Sequence, residues 1–128
     1  MSLEFGVSEF VKKFVDIERE ISKEKGDFNL FALFLREDAQ DKWDIIVSAL
    51  WAQKNEQEAL KYISSKIVPK LSPSELLLMS RILILETSNQ AVKALNRGIS
   101  QTHGMTEIRN SNFLGLQIKR AYVITSNG

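Results

Sequence analysis

The chain has 128 residues, no cysteine, 17 basic and 16 acidic side chains, and a net charge of +1. That length predicts one domain, residues 1–128, able to bury an ordinary core. The even charge balance argues against nucleic acid or an anionic membrane as partner. The missing cysteine excludes disulfides, thiolate metal sites and cysteine nucleophiles.

No apolar run approaches the roughly 20 residues that span a bilayer. The start, MSLEFGVSEF, lacks the basic and apolar regions of a signal peptide, so a cytoplasmic protein is expected. Leu3, Val7, Phe10, Phe14, Ile17 and Ile21 recur at spacings of four and three, the stripe of an amphipathic helix. Ser2 or Ser8 would cap it, and Gly26 would stop it after Lys23 and Lys25. The stripe also fits heptad a and d positions. Phe10, Phe14 and Ile17 are therefore candidate contacts with a second copy, beside the plainer reading of a helix packed on a sheet.

Residues 28–51 read as a β-hairpin. Leu30 to Leu35 is wholly apolar, as a central strand covered on both faces would be. The second run alternates, with Trp43, Ile45, Val47, Ala49 and Trp51 on one face and Asp44, Ile46, Ser48 and Leu50 on the other. Trp51, at the strand end, is a candidate interface anchor.

Asn55 and Glu58 then mark a helix start, and Pro69 ends that helix near Ile67. Ser72-Pro73-Ser74-Glu75 carries a capping box with proline at the first helical position. Arg81 to Glu86 reads as a short buried strand. Gln90 to Arg97 reads as a helix with Ala91, Val92 and Leu95 inward and Gly98 closing it. Met105 to Asn110 and a longer run through Leu116, Ile118, Tyr122 and Ile124 read as strands joined near Gly115, which supplies positive φ. The resulting order, αββααβαββ, predicts an α+β fold: one mixed sheet of about five strands with helices packed on it, and parallel pairings at the helical crossovers.

Few residues point to chemistry. Glu37, Asp38, Asp41 and Asp44 lie close together, but the spacing lacks the glycine and amide ligands of a metal loop, and Arg36 and Lys42 would pair with them. No metal site and no cofactor is expected. A mixed sheet carrying acids resembles that of metal-dependent nucleases of the restriction type, yet the Glu-x-Lys pair those enzymes place on the adjoining strand is missing.

Glu86-Thr87-Ser88-Asn89 lies at the carboxyl end of a strand and opens a helix, the usual position of a ligand site in open sheets, so these four are the candidate ligand-binding residues. His103, the one histidine, falls in a loop. A triad drawn from it and Ser48, Ser88 or Ser100 lacks a nucleophile elbow, so no catalytic residue is assigned. Arg109, Lys119 and Arg120 could form a basic patch on the last hairpin.

At FALFLRED and KWDIIVSA the chain resembles small uncharacterised bacterial proteins with a hydrophobic hairpin of this kind. The resemblance implies no activity and carries over no site residues. The expected function is protein–protein interaction by a homodimer. The alternative is a ligand- or metal-binding domain, or a hydrolase- or nuclease-like enzyme, using Asp44 or the Glu86–Asn89 turn.

Overall fold

The computed structural model describes residues 3–38 and 41–127, with side chains from residue 9 onward. The chain runs α1 (Leu3–Lys25), β1 (Leu30–Arg36), β2 (Trp43–Ser48), α2 (Leu50–Gln53), α3 (Glu56–Ile67), α4 (Pro73–Leu76), β3 (Met79–Ile84), α5 (Gln90–Gly98), β4 (Thr106–Phe113) and β5 (Leu116–Ser126). The strands form one mixed sheet in the order β3-β2-β1-β5-β4. The all-apolar β1 is the middle strand, antiparallel to β2 and β5, and its residues Leu30 to Leu35 are all buried. Strand β3 runs parallel to β2, and β4 pairs antiparallel with β5 at the far edge. The fold is thus the expected α+β arrangement. Of the two helical crossovers, however, only β2 to β3 makes a parallel pair, because α5 carries the chain across the sheet to the opposite edge.

Alternation along β1 divides the core. Phe31, Leu33 and Leu35 face α1 and α3, where Phe10, Phe14, Ile17, Ile21, Ile63 and Ile67 pack on them. Leu30, Ala32 and Phe34 face α5 and the last hairpin, where Val92, Phe113 and Ile118 cover them. Phe10, Phe14 and Ile17 are at most 1% exposed. Each buried side chain of this size contributes about 1.5–3 kcal/mol from burial, and an interface through these residues would require α1 to leave the sheet. Gly26, at φ +115°, ends α1 as expected. The helix already runs through Ser8, which therefore does not cap it; Ser2, and the side chains of Leu3 and Val7, lie outside the described residues.

Three local expectations change. The second hairpin strand stops at Ser48, and α2 begins at Leu50, so Trp51 stands on a helix and not beside Trp43 on a strand face. The Ser72 capping box forms in full, but the helix it starts has only four residues before the chain turns into β3. Strand β3 is not buried. It lies at the sheet edge with its side chains partly exposed. The β4–β5 turn places Leu114 and Gly115 at φ +55° and +77°, the doubly left-handed turn that suits a two-residue hairpin.

Candidate functional site

The largest departure from the sequence reading is at His103. Its Nδ1 lies 2.7 Å from Oε1 of Glu18, a carboxylate on α1 that is 0% exposed. Oε2 of Glu18 accepts from Thr125 Oγ1 at 2.8 Å and from Ser22 Oγ at 3.0 Å. The His103 backbone is held as well. Its N–H donates to Thr125 Oγ1, its carbonyl accepts from Arg19, and its φ is +49°. His103 therefore ties the loop between α5 and β4 to α1, while the backbones of Gln101 and Gly104 join it in bonding to β5. Glu18 was readable as the one acid set among Phe14, Ile17 and Ile21 on the apolar stripe of α1, at one helical turn from Phe14. A carboxylate that fixes one imidazole nitrogen is an arrangement used to orient general bases. Here Thr125 donates its hydroxyl proton to Glu18 and not to the ring, so the cluster holds no activated nucleophile.

Asp44 is 2% exposed on β2. Its Oδ2 accepts from Arg36 Nε at 2.7 Å, and Oδ1 lies 3.3 Å from Arg81 Nε, within ion-pair range but without hydrogen-bond alignment. The hydrogen bond that Arg36 donates to Asp44 holds its guanidinium above its ordinary pKa, against the opposing effect of burial. Asp44 thus clamps β1 to β3 across β2. Glu37, Asp38 and Asp41 are exposed, and Arg36 reaches Asp38 at 2.9 Å. Among the described residues no group of three His, Asp or Glu side chains stands close enough to hold a metal ion.

The Glu86–Asn89 turn divides by role. Asn89 caps α5, its Oδ1 accepting from the N–H groups of Ala91 and Val92. Ser88 Oγ lies 3.5 Å from a Glu86 oxygen. Thr87, but not the other three, lines the cavity of about 360 Å³ that also takes in Asn29, Lys93, Asn96 and Arg97. Trp51 packs edge-on against Phe28 and Tyr62, beside a second cavity of about 410 Å³. Tyr62 donates to Glu24, and burial together with that bond raises its pKa to about 12. The basic patch expected on the last hairpin is partly neutralised, since Glu107 lies 2.7 Å from Arg109 and 3.5 Å from Arg120.

The two sheet edges differ. β4 carries Glu107 and Arg109 and is kinked by Asn110 at φ +51°, devices that keep an edge from pairing with another chain. β3 ends in the run Ile82-Leu83-Ile84, and no strand among the described residues pairs with its outer side. Beside it runs a groove of about 320 Å³ lined by Leu60, Ile82, Leu83 and Ile84, with Glu56 and Gln57 at its rim. Leu60 is 41% exposed, and Leu77, just before the strand, is 70% exposed.

No protein-family model, curated protein or solved structure matches the chain. No described helix is long and apolar enough to cross a membrane. The functional reading therefore rests on geometry alone.

Proposed function

We propose that this protein is a protein-interaction module that forms a homodimer by joining β3 to β3 of a second copy. The observation that carries the reading is the contrast between a guarded β4 edge and an open, apolar β3 edge. The Leu85 N–H donates to Val47 O on β2. By alternation the peptide groups of Ile82 and Ile84 then face away from the sheet. A twofold axis through Leu83 sets Ile82 opposite Ile84 of the second copy. Both residues can then exchange backbone hydrogen bonds while each face of the sheet continues across the junction. Leu60 lines the groove beside that junction and would lose water on pairing. The cysteine-free composition suits a reducing cytoplasm.

The test is mass in solution. Light scattering at tens of micromolar should give a dimer for the native chain and a monomer for Ile84→Pro, which removes an outward N–H but no bond to β2. A native chain that is monomeric at that concentration would overturn the proposal.

A further inference from the structure

The two parallel strands send their helices to opposite faces of the sheet: α3 follows β2 on the α1 face, and α5 follows β3 on the other. Such a divergence opens a crevice at the carboxyl ends of the strands, where open sheets bind ligands. Here the two strand-end turns are tied together, the Thr87 N–H donating to Gln53 Oε1 of α2 at 2.8 Å. The cavity lined by Asn29, Thr87, Lys93, Asn96 and Arg97 lies at this point.

Its lining contains two cations and no carboxylate. Lys93 and Arg97 are four residues apart on α5, so their charges face one another along one side of the helix and repel. Arg36, Arg81, Arg109 and Arg120 each meet a carboxylate, and Arg19 donates to the His103 carbonyl. Among the described residues Arg97 is the one arginine with no partner, and Lys93 has none either. Asn96 accepts from Ser126 Oγ through Oδ1, which leaves its amide nitrogen as a donor. Thr87 is a further polar residue of the lining. Glu86 is adjacent in sequence but does not line the cavity.

We propose that this cavity binds the phosphate of a small phosphomonoester. A dianion would be met by the Arg97 guanidinium fork and the Lys93 ammonium, with the Asn96 amide as a neutral donor. It would also relieve the repulsion between the two cations. A nucleic-acid backbone carries single charges spaced along a strand and needs a basic track, which a chain of net charge +1 with Glu107 beside its hairpin arginines does not offer.

The test is calorimetric titration at constant ionic strength with inorganic phosphate, with glycerol 2-phosphate, and with a short oligothymidylate lacking terminal phosphates. Both small phosphates should bind and shift the backbone amide signals of Thr87 and Asn96. Arg97→Gln and Lys93→Gln should each weaken binding about tenfold or more, while Lys12→Gln on α1 should not. The unliganded variants should melt no lower than the native chain, since neither side chain makes a hydrogen bond or ion pair among the described residues and each substitution removes one charge of the repelling pair. No binding, binding unchanged in both variants, or tighter binding of the oligonucleotide than of glycerol 2-phosphate would each overturn the proposal.

Discussion

At the scale of single residues, two buried carboxylates hold distant parts of the chain together, and their variants should separate by what each leaves behind. Glu18→Ala strips the acceptor from Thr125, Ser22 and His103 together. Removing the acceptor from buried donors costs more than removing one partly exposed donor. Glu18→Ala should therefore cost about 2–4 kcal/mol and His103→Ala about 1 kcal/mol. The two costs would be read from urea unfolding midpoints, and equal costs would contradict the assigned network. Asp44→Ala should cost about 3 kcal/mol, because Arg36 and Arg81 lose the charge that compensates them on the sheet. The same unfolding series checks it, and a change within a few tenths of a kcal/mol would show that the clamp is idle. The pairing of Arg36 with the acids around Asp44 was legible along the chain; the Glu18–His103 bond was not, because the two residues are 85 positions apart and no local pattern announces a contact at that range.

At the scale of elements, the capping box of α4 shows local chemistry serving tertiary structure. Glu75 accepts from the Ser72 N–H at 2.8 Å and from Lys13 of α1 at 2.6 Å, so one carboxylate both starts a helix and ties it to another. The Lys13 bond first, and the Ser72 bond after it, hold the Glu75 pKa below its ordinary 4.5. A carboxyl lowered in the folded state stabilises the fold above its unfolded value and loses that contribution as pH falls through the folded value. The stability gap between the native chain and Glu75→Gln should therefore be about 1 kcal/mol at neutral pH. It should close progressively below about pH 4.5, as followed by melting temperature against pH. A gap that persists undiminished in acid would show that charge is not its source. The capping box was plain in the sequence because all its parts lie within four residues. The brevity of α4 was not, since it is set by where β3 must begin in order to meet β2.

At the scale of the whole molecule, the dimer we propose uses a different surface from the one the apolar stripe suggests. An apolar helical stripe looks the same whether it packs on its own sheet or on a second copy. In the folded chain Phe10, Phe14 and Ile17 fill the space between α1 and β1, and Trp51 packs on Phe28 and Tyr62. The proposed partner surface is the β3 edge, and the cavity proposed to hold a phosphate opens at the end of that strand, next to Thr87. Of the four turn residues expected to bind a ligand, only Thr87 reaches the cavity. Its cationic partners come from α5, one to two helical turns further on.

The sequence by itself determined the elements and their faces. The 3.6-residue period placed α1 and α5, the two-residue period placed the strands, and the unbroken apolar run of residues 30–35 identified the central strand, because these are properties of neighbouring residues. Only the tertiary structure decided which strand became an edge and which charges met. The run from Arg81 to Glu86 reads as buried in isolation, yet the last hairpin pairs with β1 on one side while β2 takes the other, and β3 is left outermost. Strand order depends on pairings between segments far apart in the chain, where hydrogen bonding is the same for every sequence and only packing chooses among arrangements.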